Sequence, residues 1–410
     1  MGIHMENIKG GVTAAQGFLA AGVYAGIKKK RKDMALVYST VPAVAAGTFT
    51  TNVVKAAPVK WDIKITKESA FVQAVVLNSG VANACTGAEG DINNEKMAKA
   101  VADAMKLPVD AVYTASTGVI GKQMPIEVIQ EGAKLLAAEL KEGYEAGTLA
   151  AEAIMTTDTY SKEYAVRFTA DGKEIKIGGM AKGSGMIHPN MATMLGVITT
   201  DLAISKELLQ EALSADVVHS FNMISVDRDT STNDSLIILA NGLAGNQKIT
   251  EKNKDYESFC KALNMVTTDL AKKMAADGEG ANKLFEVQVT GAKTEEEAII
   301  LSKSIITSNL VKTAVFGNDA NWGRILCAMG YSGVNFDPDQ VDLYVESADG
   351  KLKLVENGMA TDYSEELATK ILSGKEVKAT ADLKSGSAGA TAWGCDLSYD
   401  YVKINADYRS

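Results

Sequence analysis

The feature that most constrains the fold is the central stretch KGSGMIHPNMATML, residues 182–195. Its glycine-rich start is flexible, and Pro189 then stiffens the backbone, because proline fixes its own φ and restricts the residue before it. The apolar, β-branched run that follows, residues 194–199, predicts a buried strand. Thr193 therefore stands where a turn meets a strand.

The chemistry of Thr193 depends on the peptide bond before it. A threonine hydroxyl is a weak nucleophile unless a base lies beside it, and the threonine's own α-amino group is such a base once the bond is cut. A free α-amine has a pKa of about 7.7 to 8.0, so a useful fraction is neutral near physiological pH. Self-cleavage between Ala192 and Thr193 would make Thr193 both base and acyl carrier. The plainer alternative is that Thr193 merely opens a core strand.

Size and charge limit the functional classes. A chain of 410 residues is long enough for two substructures, and its 46% hydrophobic and 23% charged residues are typical of a soluble globular protein. A net charge of -9 argues against a nucleic-acid-binding surface, which needs clustered basic charge.

Metal and redox sites are not indicated. The four cysteines form no C-x-x-C pair, and the three histidines form no H-E-x-x-H motif, so neither a metal site nor a disulfide framework is expected. The polar loop 225–234 superficially suggests a calcium loop, but an EF-hand that starts at Asp227 would need glycine and glutamate where Thr232 and Ile238 stand. We expect a structural or site-supporting turn.

We expect a cytoplasmic protein, because the sequence shows neither the pattern of a secretory signal nor that of a membrane span. The basic run Lys28–Lys32 follows the small apolar segment 10–27, whereas a secretory signal has its positive charges first. No stretch has 18 or more consecutive apolar residues, so we expect no membrane span. The widely spaced cysteines agree with a reducing cytosol.

Strand and helix patterns of similar weight occur in both halves, which predicts the α/β class. A short strand at 112–115 precedes Ser116-Thr117-Gly118, and a hairpin around Asp171-Gly172 leads into the central stretch. We also predict a strand at 235–240, one helix over 295–311, and a strand-like alternation from 393 to 405. No G-x-S-x-G, G-x-G-x-x-G or Walker A motif and no internal repeat appears.

The central stretch, STGVIG at 116–121, MTTDT at 155–159 and the C-terminal tail together resemble the ornithine acetyltransferase family over essentially the whole chain. This resemblance implies one precursor that cuts itself between Ala192 and Thr193 into an alpha chain, 1–192, and a beta chain, 193–410. It also implies two packed β-sheets flanked by helices, an αββα-type fold built from both precursor halves, and assembly of two copies of each fragment (α2β2).

The activity implied by the resemblance is acetyl transfer from N2-acetylornithine to glutamate, through an acetyl-Thr193 intermediate in a ping-pong scheme of arginine biosynthesis. The partners are then small-molecule substrates, with no nucleic acid and no membrane. No cofactor is implied, because one amide is exchanged for another, and acetyl-CoA is left open as a second donor.

The resemblance also assigns roles to residues that have plainer local explanations. Thr117 and Gly118 would form the oxyanion hole, although a Thr-Gly after a strand is usually a turn. Substrate would contact Thr156, or Thr157 if the register is off by one. The remaining substrate-binding residues implied are Lys182, Thr193, Glu279, Asn405 and Ser410, with no metal ligand.

Two other functions fit the same residues. One is a self-processing amidase or aminopeptidase in which water resolves the acyl-enzyme, and the other is a metabolite-binding protein without catalysis. The polar and glycine-rich segment 315–324 is expected to form a wall of the site without a catalytic role.

Overall fold

The structure, a computed structural model, describes residues 5–188 and 194–407, which form two compact units. The described residues of the first unit are 5–183, 194–222 and 230–270, and those of the second are 184–188, 223–229 and 271–407. The predicted α/β class, with two sheets flanked by helices, is confirmed.

The first unit contains a nine-stranded sheet and most of the helices of the N-terminal half. Its elements in chain order are β1 Met5–Ile8, β2 Phe18–Val23, β3 Met34–Phe49, α1 Ala57–Glu68, β4 Val72–Val81, α2 Gly87–Met105, β5 Val112–Val119, α3 Ile126–Glu139, α4 Tyr144–Ala153, β6 Lys162–Ala170, β7 Lys173–Lys182, β8 Leu195–Thr200, α5 Lys206–Val217 and β9 Ser235–Ala240. The long helix α6, Lys254–Ala276, is shared by the two units.

The strand order of this sheet is β1-β6-β7-β8-β9-β3-β4-β5, and β2 pairs with β3. The central strands β8 and β9 run parallel to each other, and every residue in both is buried, as their continuous apolar sequences predict. Strand β8 also pairs antiparallel with β7, and β9 with β3. The sheet therefore contains strands from both sides of the proposed cut.

The second unit is built on a six-stranded sheet of order β13-β12-β11-β14-β10-β15. Its elements are β10 Leu284–Ala292, α7 Glu295–Thr307, α8 Asn309–Phe316, α9 Trp322–Gly330, β11 Asp342–Ser347, β12 Gly350–Glu356, β13 Met359–Ala360, α10 Glu365–Leu372, β14 Glu376–Asp382, β15 Ala388–Cys395 and α11 Tyr399–Ala406. Helix α7 packs on β10 and β15, and α10 packs on β11 and β12.

Three sequence-based boundaries are wrong. The predicted helix over 295–311 is two helices, α7 and α8, because the Ser308 side chain accepts a hydrogen bond from the Val311 N–H and caps a new helix. The strand predicted at 112–115 continues through Thr117 and Gly118 to Val119, because β4 pairs alongside it.

The strand predicted from 393 to 405 is wrong beyond Cys395, and Asn405 lies on helix α11 instead. The Ser398 side chain accepts a hydrogen bond from the Asp400 N–H and begins this helix. Both the alternating apolar residues and the cap were present in the sequence, and the cap decides the local structure.

In the part of the chain that the structure describes, no single helix has the length and apolar composition of a membrane span, although the bent pair α7 and α8 together passes that test.

Candidate functional site

Lys182 is the centre of a polar cluster in the first unit. It is the last residue of β7 and is only 7% exposed. Its Nζ donates hydrogen bonds to Thr156 Oγ1 at 2.8 Å and Thr117 Oγ1 at 3.4 Å. The Asp158 carboxylate lies 3.8 Å from the same nitrogen. Thr156 and Thr117, which are 26 and 65 positions from Lys182 in sequence, thus both contact its ammonium group.

Asp158 organises this cluster from within. Its carboxylate accepts hydrogen bonds from Lys162 Nζ at 2.7 Å, from the Gly183 N–H at 2.8 Å and from the Thr156 N–H at 3.0 Å. Burial by itself would raise the pKa of Asp158, but the charges of Lys182 and Lys162 and these hydrogen bonds hold it well below its usual range. Asp158 is therefore a permanent anion that fixes Thr156 and the end of β7.

The predicted oxyanion pair lies at the end of β5. Gly118 has a φ of 128° and pairs with Gly80 of β4. A Cβ added at Gly118 would lie 2.4 Å from the Gly80 carbonyl carbon, so glycine is required there. This close approach of two backbones is possible only at glycine, and the backbone N–H groups there are the donors that the predicted oxyanion hole would use.

The polar loop at 230–234 supports the same strand end. The Asn233 side-chain amide donates to the Ser116 carbonyl oxygen at 2.8 Å and to the Ala82 carbonyl oxygen at 2.6 Å. Ser116 in turn donates to Asn78 Oδ1 at 2.6 Å. These contacts fix the residue directly before Thr117, and they agree with either role expected for this loop, structural or site-supporting.

A buried carboxyl group, Asp234, lies beside the start of β8. Leu195 of β8 pairs with Ser235 of β9. The Ser235 N–H donates a hydrogen bond to the Met194 carbonyl oxygen, at 2.8 Å. Burial raises the pKa of Asp234 well above its ordinary value, and the opposing hydrogen bonds and the charge of Lys182 do not reverse this. The Asp234 carboxyl group therefore keeps its proton to a higher pH than an ordinary aspartate does.

Glu279 and Asn405 meet in the second unit. Asn405 Nδ2 donates to Glu279 Oε2 at 2.7 Å, and Glu279 is 7% exposed. A Cβ added at Gly185 would lie 2.3 Å from the Glu279 carboxylate, so this glycine is what leaves room for it. The Glu279 N–H also donates to the Ser184 carbonyl oxygen at 2.9 Å.

The helix that carries Asn405 is attached to this unit by further side chains. Tyr401 Oη donates to Asp227 Oδ2 at 3.2 Å, and Ser398 Oγ donates to the Gly280 carbonyl oxygen at 2.5 Å. Asp227 also accepts from the N–H groups of Met186 and Ile187, at 2.7 and 2.8 Å. The start of the central stretch and the C-terminal helix are thus both held by Asp227.

The predicted residues have different outcomes. Lys182 contacts both Thr117 and Thr156, Gly118 follows Thr117 in the chain, and Glu279 contacts Asn405. It is Thr156, rather than Thr157, whose hydroxyl contacts Lys182. The predicted nucleophile and cleavage site, Ala192 and Thr193, and the tail residue Ser410 lie outside the described residues.

The segment expected to form a site wall lines an apolar cavity within the second unit. Val315, Ala320 and Asn321 share this cavity with Phe285 and Leu354. Within residues 5–188 and 194–407, no three His, Cys, Asp or Glu side chains come together as a metal site would require.

Asp158, Lys162 and Asn233 are site residues that sequence reasoning missed. Asp158 and Lys162 are four positions apart and form a fully buried ion pair. An aspartate between threonines with a lysine four residues on was a readable signal for such a pair. Asn233 had no comparable signal, because its partners Ala82 and Ser116 are 151 and 117 positions away.

A family model described as the ArgJ family matches residues 19–410. The Arginine biosynthesis bifunctional protein ArgJ of Caldanaerobacter subterraneus subsp. tengcongensis is 50% identical over 406 residues, covering 99% of this chain and 100% of that protein. The protein of the same name from Symbiobacterium thermophilum is 52% identical over 409 residues, covering 99% and 100%. The structure of ornithine acetyltransferase complexed with ornithine from Mycobacterium tuberculosis is 40% identical, covers 46% of this chain and 100% of that chain, and has a TM-score of 0.43. Because the family model matches nearly the whole chain and these relatives share 50% and 52% of their sequence with it, this chain belongs to the ArgJ family.

Proposed function

We propose that this protein transfers the acetyl group of N2-acetylornithine to glutamate in arginine biosynthesis, with Thr193 as acyl carrier. The relatives carry the name Arginine biosynthesis bifunctional protein, which supports the pathway. The observation that carries the chemistry is the buried Lys182 ammonium held by the hydroxyls of Thr156 and Thr117, directly beside Gly118. An ammonium in this setting suits a substrate carboxylate, and the adjoining peptide suits an oxyanion.

In the first half-reaction, Thr193 Oγ attacks the acetyl carbonyl carbon of acetylornithine while the Thr193 α-amine takes the hydroxyl proton. Thr117 and Gly118 stabilise the oxyanion of the tetrahedral intermediate. The C–N bond then breaks, the proton passes to the leaving α-amine, and ornithine departs from acetyl-Thr193. The family resemblance implies that Glu279, Asn405 and Ser410 also contact the substrate.

In the second half-reaction, the neutral α-amine of glutamate attacks the ester carbon. Its proton passes through the Thr193 amine back to Oγ as the ester bond breaks, and N-acetylglutamate leaves. Because one amide replaces another, no nucleotide energy is needed. We also infer that acetyl-CoA serves as a second donor to the same threonine, an inference supported by the word bifunctional in the relatives' name.

We infer that the active form arises by self-cleavage into fragments 1–192 and 193–410. The nine-stranded sheet supports their association, since β7 belongs to the first fragment and its neighbour β8 to the second. We propose two copies of each fragment in the assembly, which native mass spectrometry measures directly. A cytoplasmic location agrees with the four free cysteines.

The test of processing compares Thr193→Ala with Thr193→Ser. We expect Thr193→Ala to remain one uncut chain without transferase activity, because neither the hydroxyl nor the later α-amine–hydroxyl pair exists. We expect Thr193→Ser to retain cleavage at a reduced rate, since a hydroxyl remains. Denaturing gels and N-terminal sequencing read the outcome, and fragments 1–192 and 193–410 from the alanine variant would refute the proposal.

The test of transfer incubates the purified protein with acetylornithine, with and without glutamate. We expect sustained ornithine release only with glutamate, and without it one equivalent of release and an acetylated peptide beginning at Thr193. Continuous release without glutamate would identify an amidase in place of a transferase. Release of CoA thiol from acetyl-CoA in the presence of glutamate tests the second donor.

A further inference from the structure

The basic run Lys28–Lys32, which follows β2, lies against the motif that carries Thr156. Lys28 Nζ donates a hydrogen bond to the Met155 carbonyl oxygen at 3.0 Å, and Arg31 Nη1 donates to the Thr156 carbonyl oxygen at 3.5 Å. Lys28 is half-buried, whereas Lys29, Lys30 and Arg31 are exposed. Lys28 is therefore a half-buried cation of the run beside the Lys182 cluster, whereas Arg31 contacts the Thr156 backbone from the surface.

A buried carboxylate fixes the backbone of Lys28. Asp33 is 0% exposed, and its side chain accepts hydrogen bonds from the N–H groups of Ala25, Gly26 and Lys28, at 2.7, 3.1 and 2.9 Å. Three convergent bonds to one carboxylate hold this loop in a single conformation, so the Lys28 side chain leaves a rigid backbone, as a positioned binding group should.

The stem of Lys28 is placed beside the predicted oxyanion pair by glycines. A Cβ added at Gly80 would lie 3.1 Å from Lys28 Cγ, which is tighter than ordinary contact. Gly80 pairs with Gly118 across β4 and β5. The paired glycines Gly80 and Gly118 thus let the Lys28 side chain approach the end of β5, which carries Thr117 and Gly118.

The charges around Lys28 leave it available for an anion. Of the described residues that act on it electrostatically, Arg31 and Lys182 are cations and Asp33 and Asp158 are anions. Asp158 is already paired with Lys162 at 2.7 Å, and Asp33 is occupied by backbone N–H groups. Among described residues, the hydrogen bond of the Lys28 ammonium goes to a neutral carbonyl oxygen.

The pKa of Lys28 is lowered to about 8 by burial and by the nearby positive charges of Arg31 and Lys182, against the opposing attraction of Asp33 and Asp158. Lys28 is therefore mostly protonated at pH 7 and loses its charge as the pH rises through 8. Bringing an anionic ligand to the ammonium raises this pKa, so ligand binding and protonation favour each other.

We propose that Lys28 is a specificity-determining residue of the acetyl-transfer site, whose ammonium is a second cation beside that of Lys182 and binds the second carboxylate of the glutamate acceptor. The inference rests on the proposed function. Acetylornithine has one carboxylate and a distal ammonium, whereas glutamate has two carboxylates. Lys182 alone satisfies the carboxylate that both share, and a second cation favours glutamate while it disfavours the ornithine side chain.

The experiment measures KM and kcat for both substrates in the processed enzyme with Lys28→Met, Lys28→Arg and the control Lys30→Met. The Lys28→Met variant keeps a side chain of similar length and removes the charge. The Lys28→Arg variant keeps a charge that does not titrate in this pH range. Lys30 is a suitable control because it is an exposed member of the same run. At pH 7 we expect Lys28→Met to raise KM for glutamate about tenfold or more, from the loss of one charge-assisted hydrogen bond. We expect KM for acetylornithine and the control to change little.

The pH profile separates this role from a merely structural one. Between pH 7 and 9 we expect the glutamate KM of the wild type to rise relative to that of Lys28→Arg, because only lysine loses its charge there. If Lys28→Met does not fold, this comparison alone decides the question.

An equal effect on both substrates, an effect only on KM for acetyl-CoA, or a wild-type profile parallel to that of Lys28→Arg would overturn the assignment. Failure of the wild type to acetylate glutamate at all would refute the proposed function instead.

Discussion

The glycine at the end of β5 offers a direct test of the site geometry. Replacing Gly118 by alanine forces a φ of 128° on a residue with a Cβ, which costs about 1 to 3 kcal/mol. The new Cβ also meets the Gly80 backbone at 2.4 Å for its carbonyl carbon and 2.7 Å for its oxygen. Because these atoms belong to a paired strand, relief requires moving β4 or β5, and such overpacking adds about 1 to 3 kcal/mol.

Gly121→Ala is the matched control. Gly121 has a φ of 81°, and a Cβ added there meets no atom within 4 Å, so the control has the backbone strain without the collision. We expect both variants to be less stable than the wild type, with Gly118→Ala lower by about a further 1 to 3 kcal/mol. Thermal unfolding by calorimetry, on processed protein at matched concentration, measures the difference as a lower Tm.

The same pair tests the oxyanion assignment. If the end of β5 must move to make room for the Cβ, its N–H donors no longer point at the oxyanion. The loss of one such donor lowers kcat by about 100- to 1,000-fold. The Gly121→Ala enzyme should keep kcat close to that of the wild type, since its Cβ points into open space. The reasoning would be refuted by a Gly118→Ala enzyme as stable and as active as Gly121→Ala.

Two further predictions concern buried carboxyl groups of the first unit. Asp158→Ala removes the carboxylate of a fully buried ion pair with Lys162, and we expect a loss of about 3 to 5 kcal/mol in unfolding free energy, measured by urea denaturation. No processed enzyme is recovered if this loss exceeds the total stability. Burial raises the pKa of Asp62 well above its usual value, so the folded state binds a proton that the unfolded state releases, and stability falls as pH rises from the ordinary pKa towards the raised one. Asp62→Asn removes this titration, and we expect its Tm to decline less than that of the wild type between pH 5 and 8; parallel Tm curves would show that Asp62 does not titrate in this window.

Local sequence signals predicted the regular elements where nothing remote competed with them. The strand at 235–240 and the hairpin around Asp171-Gly172 are observed, because a continuous apolar run and a turn dipeptide determine them locally. The prediction of a strand for the tail was wrong because the alternation of apolar and polar residues indicated a strand, whereas the Ser398 cap indicated a helix. The structure has the helix. That serine hydroxyl also bonds Gly280, 118 positions away, which no local pattern reveals.

The candidate site was predicted in part for the same reason. The resemblance supplied Thr117, Thr156 and Lys182, and the structure brings their side chains together. The residues that hold them, Asp158 and Asn233, act through buried partners whose identity depends on the finished sheet. Sequence patterns therefore indicate groups that face a ligand more readily than groups that orient them.

The register of β7 against β8 bears on the prediction that one stretch supplies both the substrate-binding lysine and the nucleophile. Lys182 lies directly opposite Leu195 in this antiparallel pair, although the two residues are 13 positions apart in sequence. Leu195 is only two residues after Thr193 in sequence, so the paired strands connect Lys182 to the proposed nucleophile through fewer residues than the intervening chain does. Cutting the Ala192–Thr193 bond leaves every hydrogen bond of this register in place. We therefore expect the proposed cleavage to supply an amine on a residue whose chain still continues into β8.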